Sequence, residues 1–489
     1  MCGIVGIVAN YPVKNLLYKA LNGVQHRGQQ AAGMATLDGP LMHMRKGVGL
    51  IRQVITNFDL SYLNGNAGIG HVRFPTAGSA DDPEQAHPFY VNAPFGIMLA
   101  HNGNLTNTTK LREEVLNTNH RHVRTMSDSE VLTNAFAAEL QNLTQKSKLT
   151  NKKIFNAITH VQKRLSGGYS VVSIIANYGL IGFRDPYGIR PLILGCKVGL
   201  DGFTSYMLAS ESCTLANNGF SIMRDINPGE AVIIQQNGSI SFEQCALDYK
   251  LRPCLFEFAF LARSDSIMES VPIQQARQNM GKYLAANIRT KYPELEFDAV
   301  IAVPDAARTI AIAVAQALGV PYNEGFVRNH LMSDSQIINE PFISTDEDPN
   351  LINHLSPIHM EFKNKKILLI DTALVRGRNS RSIIKMAKDA GATKIYVAIA
   401  TPPIRHSSVY GVDMPAHNYL IAHNKDERQI ADAIGADEII FQSLDDLKHS
   451  VTDLNTNLNE FEASCFDGYY ITQDVDNAYL ASLAHGVVF

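Results

Sequence analysis

The sequence predicts an α/β (α+β) protein of two domains, residues 2–240 rich in strands and residues 250–489 built as a parallel sheet covered by helices. Three observations carry this expectation. The chain has 489 residues with 45% hydrophobic content, more than one hydrophobic core serves. Its first half holds short β-branched runs. Its second half repeats a strand, loop and helix unit, and that alternation argues for a parallel sheet.

Taken in order, Gly3 to Ile7 opens the chain, and its glycines suit a strand. The stretch Asn142 to Lys153, rich in Asn and Lys, reads as a solvated loop. Tyr169 to Ile175, Leu192 to Leu194 and Ala231 to Ile234 have the composition of strands. Asn227, Pro228, Gly229, Glu230 form a turn, and the domain boundary is expected soon after, near residues 240 to 250. Beyond it, Phe297 to Val303 is an apolar strand that ends at Pro304, and Arg308 to Leu318 has helical spacing stopped by Gly319. The unit recurs as a strand Lys366 to Ile370, a loop Asp371 to Ser380, a helix Arg381 to Ala390 closed by Gly391, and a strand Lys394 to Ala400. In such sheets ligands sit beyond the carboxyl ends of the strands.

Composition narrows the function. A net charge of −4 offers no field for nucleic acid. The apolar stretch Thr309 to Val320 is interrupted by polar residues and helix-enders, so it is too short to span a bilayer. No basic region precedes the apolar residues at the N-terminus, so the expected location is the cytoplasm. The six cysteines (2, 196, 213, 245, 254 and 465) contain no Cys-x-x-Cys pair, and neither zinc nor an iron–sulfur cluster is expected. The four from 196 to 254 read as small buried residues in a reducing compartment.

The chemistry begins at Met1, Cys2, Gly3. Removal of the methionine would leave an amine and a thiol on one residue. Both titrate near neutral pH, so the amine can take and return the thiol proton without a histidine. On these residues alone, a buried strand carrying a small apolar cysteine explains the string at least equally well. Polar clusters in Gly- or Pro-marked loops follow: His26, Arg27, Gly28, Gln29, then His71, Val72, Arg73, Phe74, Pro75, Thr76, Ala77, Gly78. His101, Asn102, Gly103, Asn104 come next, and Ser127, Asp128, Ser129, Glu130 precede a helical pattern.

Together these strings resemble the class II glutamine amidotransferases, whose glutaminase domain is a four-layer αββα N-terminal-nucleophile hydrolase fold. The resemblance implies that Cys2 attacks the side-chain amide of L-glutamine, while Asn102 and the Gly103 backbone N–H hold the oxyanion. Such donors are typically worth ~3 kcal/mol of barrier. It also implies that Arg73 pairs with the α-carboxylate of glutamine and Asp128 with its α-ammonium, while Arg27 and Thr76 shape the pocket.

The loop Asp371 to Ser380 leads into a helix N-terminus, where backbone N–H groups and the helix dipole favour a phosphate. A plain strand-to-helix connection explains the loop equally well. Joined to the first half, the loop resembles the phosphoribosyl diphosphate site of the amidophosphoribosyltransferase family, a type I phosphoribosyltransferase-like unit. Further matching strings are Phe183 to Pro191, Phe256 to Arg263, Val409 to Pro415 and Phe466, Asp467, Gly468. The resemblance implies ammonia passing through an internal channel to displace diphosphate at the ribose C1, giving phosphoribosylamine for purine synthesis. It also implies Mg2+, purine nucleotide effectors and a homo-oligomer, commonly a tetramer. The acceptor residues would be Asp305, Asp371, Thr372, Arg376, Gly377, Arg378, Asn379 and Ser380, with Asp371 as the metal ligand.

The acceptor strings depart from the family pattern. The family has two adjacent acids where this chain has Asp371 and Thr372, and a threonine pair where it has Arg378 and Asn379. Losing a charged hydrogen-bond partner costs about 1.5–3 kcal/mol, and losing a carboxylate weakens a site for a hard cation. The loop Pro304, Asp305, Ala306, Ala307 lacks a hydroxyl that the family usually has, and in the lid His330 to Gln336 the acid Asp334 replaces a base. Three readings stay open: a working amidophosphoribosyltransferase, a divergent relative that delivers ammonia to another phosphorylated or anionic acceptor, and a glutaminase or nucleotide-binding regulatory subunit without transferase activity.

Overall fold

The structure, a computed structural model, describes residues 1–74, 82–145, 147–328, 355–412 and 416–484. The first half stacks two antiparallel sheets. In one, seven strands run in the spatial order Ser221–Asp225, Ile193–Val198, Thr204–Ala209, Gly3–Val8, Ala67–Arg73, Ala31–Asp38, Leu41–Val48. In the other, six run Ile240–Gln244, Glu230–Gln235, Gly179–Arg184, Gly167–Ile175, Ile97–Leu105, Phe89–Val91.

The strand Gly3–Val8 shows why the layers form. Successive side chains point to opposite faces: Ile4 and Val8 join Ile69, Val172, Leu180 and Leu208 between the sheets, whereas Val5 and Ile7 pack on Leu17 and Leu21 of the helix Lys14–Gly23. Both faces are buried, so the strand is apolar throughout. Helices Asp128–Thr144 and Asn151–Gln162 cover the outer face of the six-stranded sheet, and the result is the αββα arrangement.

Where a loop is expected from Asn142 to Lys153, the helices leave only residues 145–150 between them. Leu143 packs on the buried cluster, and the Thr150 side chain caps the second helix by accepting from the Lys153 N–H.

The second half holds a five-stranded parallel sheet in the order Tyr322–Asn323, Ala299–Ala302, Lys366–Asp371, Lys394–Ile399, Glu438–Phe441. Leu368 and Ile370 face the helices Ile273–Lys291 and Arg308–Leu318, while Ile367 and Leu369 face Arg378–Asp389 and Glu427–Ile434. Helix Arg308–Leu318 has the expected limits, stopped by Gly319 at φ 73°. The helix expected from Arg381 begins at Arg378, three residues earlier, because Gly377 adopts φ 78° as its N-cap. Among the described residues no helix is long and apolar enough to cross a membrane.

Candidate active site

Cys2 lies at the mouth of the two stacked sheets, 5% exposed. Its backbone N–H donates to Asn102 Oδ1 at 3.1 Å, and its thiol donates to the Phe74 carbonyl at 3.4 Å. Asn102 is fully buried, and its Nδ2 has no hydrogen-bond partner among the described residues. A buried amide N–H without an acceptor costs roughly 1–3 kcal/mol, so this group is poised to receive an oxygen. Gly103 follows at φ 141°, where a Cβ would strike the Gly168 carbonyl. Only glycine fits there.

Arg27 sits behind Cys2. Its Nε donates to the Cys2 carbonyl at 3.1 Å, while its two terminal nitrogens each reach a carboxylate at 2.7 Å, Glu211 and Glu257 respectively. Burial alone would lower this guanidinium, but the two carboxylates outweigh it and hold it up. Arg27 therefore holds the backbone of Cys2 in place. Its charge is met by protein carboxylates.

Arg73 ends the strand Ala67–Arg73, buried, and donates to Gln85 Oε1 at 3.2 Å. Burial lowers its guanidinium, and the field of Cys2 and Asp128 opposes that. Asp128 is the first residue of helix Asp128–Thr144, which Ser127 caps. Its carboxylate accepts from the Leu105 N–H at 3.1 Å and the Ser129 hydroxyl at 3.2 Å. One basic and one acidic side chain thus stand in each other's field near Cys2, the pair that a zwitterionic amino acid needs. Thr76 lies outside the described residues, as do the lid His330 to Gln336 with Asp334, and Asp413 to Pro415.

Three histidines form a layer, of which the sequence strings contain His71 and His101 without indicating a role, while His87 lies outside them. His71 and His87 stack with centroids 4.0 Å apart, His71 Nε2 meets the His101 carbonyl at 3.1 Å, and His101 Nδ1 meets the Ser129 hydroxyl at 2.9 Å. Burial lowers all three imidazoles, which favours their neutral forms, with Asp128 opposing it at His101. They brace the strand that carries Asn102. The far end of the chain also reaches this strand: Asn104 donates to the Val409 carbonyl at 2.8 Å, and Thr106 to Asp474 at 2.7 Å.

A cavity of about 130 Å³ lies between Arg27 and Phe74 on one side and Ala373 and Val375 on the other, with Phe256, Phe260 and Leu261 along its wall. Its lining is largely apolar. Ala373 and Val375 belong to the loop between strand Lys366–Asp371 and helix Arg378–Asp389.

In that loop the Asp371 carboxylate accepts the Thr372 N–H at 2.7 Å, and burial pushes its pKa up to about 6. Thr372 and Ser380 are buried, and Asn379 is exposed. Arg376 lies over the Tyr419 ring at 5.6 Å, and Gly377 packs where a Cβ would strike Ile421. Arg378, Asn379 and Ser380 form the first helical turn instead of the end of a loop. Arg378 has a buried Nη1 without a hydrogen-bond partner among the described residues. Asp305 pairs with Arg308 at 3.6 Å and Arg328 at 3.2 Å. Among the described residues no group of three His, Cys, Asp or Glu side chains could hold a metal ion.

An αββα half with a buried thiol at residue 2, joined through an apolar cavity to a loop at the end of a parallel sheet, has the architecture of a glutamine amidotransferase with a second α/β unit. A sequence model of the glutamine amidotransferase domain matches residues 76–217. Amidophosphoribosyltransferase of Pseudomonas aeruginosa is 44% identical over 98% of this chain and 95% of its own length, and that of Escherichia coli is 44% identical over 98% and 94%. The glutamine phosphoribosylpyrophosphate amidotransferase from B. subtilis complexed with ADP and GMP matches with a TM-score of 0.82 and 31% identity, over 99% of this chain and 100% of that one. The chain belongs to the amidophosphoribosyltransferase family, and it is a glutamine-dependent amidotransferase.

Proposed function

We propose that the chain transfers the amide nitrogen of L-glutamine to phosphoribosyl diphosphate, the first of the three readings. Near full-length identity to amidophosphoribosyltransferases supports it. Loss of the residue before Cys2 frees an α-amine, which takes the thiol proton. The thiolate then attacks the glutamine amide carbon, and Asn102 Nδ2 with the Gly103 N–H receives the oxyanion. Collapse breaks the C–N bond, the α-amine returns the proton to the departing nitrogen, and water hydrolyses the thioester to glutamate. Arg73 and Asp128 hold the α-carboxylate and α-ammonium of the substrate.

The observation that carries the coupling is the apolar cavity between Phe74 and Ala373. Such a lining admits neutral ammonia and penalises ammonium, which would have to shed its water. At the acceptor loop, ammonia attacks the ribose C1, the C1–O bond to diphosphate breaks, and the new amine loses a proton. Purine nucleotides are proposed as effectors, since the B. subtilis relative is complexed with ADP and GMP. A cytoplasmic location and a homo-oligomeric, tetrameric state go with this reading.

The test measures glutamate and phosphoribosylamine in parallel from glutamine and phosphoribosyl diphosphate. Equal yields are expected. Glutamate without phosphoribosylamine would reject the acceptor assignment.

A further inference from the structure

We infer that the acceptor loop meets its anionic ligand with guanidinium charge from Arg378, in place of a magnesium ion held by a pair of adjacent acids. The inference rests on residues 371–380 being the acceptor loop.

The donor set does not supply the pair of adjacent acids that would hold the metal. Magnesium is bound through one or two carboxylates together with water and substrate oxygens in a strict octahedron. Here Asp371 already accepts its neighbour's N–H at 2.7 Å, and the adjacent position is the neutral, buried Thr372. Asp305, the acid in the loop after strand Ala299–Ala302, lies between Arg308 and Arg328.

The same loop has gained what the metal would have supplied. Two acids with a divalent cation are neutral as a set, and so are one acid and one arginine. The paired changes at 372 and 378 therefore preserve the local charge while removing the need for an ion. Arg378 is suited to the task, because a guanidinium stays charged and its planar fork pairs bidentately with phosphate oxygens. Its Nη1 is buried and lacks a hydrogen-bond partner among the described residues, which is costly until an acceptor arrives. It is also the first residue of a twelve-residue helix, whose leading N–H groups have no acceptor along the chain and add to the attraction.

Binding of phosphoribosyl diphosphate to the full-length protein without glutamine tests this by calorimetry, in excess EDTA and again in excess magnesium. The two affinities should agree within about threefold. Binding seen only with magnesium would overturn the inference while leaving the acceptor assignment intact. No binding in either buffer would remove both. Arg378→Thr should weaken binding in EDTA by about tenfold or more, the value of one charged hydrogen bond. Arg378→Lys, which keeps the charge and loses the fork, should fall between, and an unchanged affinity in both variants would overturn the role of Arg378. Thr372→Asp supplies an independent check, because restoring the second acid should make binding respond to magnesium.

Discussion

The backbone N–H of Cys2 donates to Oδ1 of Asn102 at 3.1 Å, so Cys2 itself decides which end of that amide is left without a partner among the described residues. That end is Nδ2, a donor, on the side chain that Cys2 contacts, and Cys2 is the residue proposed to attack glutamine. Asn102→Ala should lower kcat for glutamine hydrolysis by roughly 10²–10³-fold, the usual cost of removing one such donor. Cys2→Ala should abolish hydrolysis, and undiminished ammonia release from that variant would sink the nucleophile assignment.

In the proposed mechanism Arg73 and Asp128 hold the ends of glutamine that do not react. Arg73→Ala or Asp128→Asn should therefore raise KM by roughly 10- to 150-fold, matching about 1.5–3 kcal/mol for a charged hydrogen bond, with a smaller change in kcat. Steady-state glutaminase kinetics would separate the two parameters. A fall confined to kcat would place these residues at the reacting centre instead.

Arg27 is matched to Glu211 and Glu257 in the interior. Arg27→Ala would strand two buried carboxylates and should cost about 3–5 kcal/mol of stability. Chemical denaturation would measure it. Arg27→Ala with Glu257→Ala should lose less than the sum of the single changes, and strict additivity would contradict a direct pairing.

The histidine layer gives an acid limit. His71, His87 and His101 are held below the ordinary imidazole pKa by burial, whereas in the unfolded chain they take up protons near pH 6.5. The unfolded state then binds more protons, so stability rises with pH through this window and is lost as pH falls below about 6.5. His87→Phe should flatten the decline measured by thermal unfolding between about pH 6.5 and 5. An unaltered slope would remove His87 from the account.

Leu261 lines the cavity, and Leu261→Trp should fill much of it. Glutamate formation should continue while phosphoribosylamine per glutamate falls well below one. A preserved ratio would mean that ammonia travels by another route.

The candidate-site strings were legible because each is a short contiguous run of residues, where short-range signals act. Cys2, Asn102, Gly103 and Asp128 are of this kind, as is the helix from Arg308 to Gly319. The partners of Arg27 were not legible, since Glu257 lies 230 positions away and only the folded chain joins them. The histidine layer escaped for a similar reason, as its members come from two strands and a loop that only the folded chain brings together. The start of the helix at Arg378 depended on a positive φ at Gly377, which no periodicity announces. Its consequence is chemical, because it moves Arg378 from a loop into a helical first turn.

The contact between Thr106 and Asp474 spans 368 positions, and that between Asn104 and Val409 spans 305. Such distant pairings close late, because the loop entropy must be met before the contact forms. During synthesis the strand bearing Cys2 emerges long before the residues that complete its surroundings. The strands of the first half are therefore all synthesised before Val409 and Asp474 can close on the segment that follows Asn102.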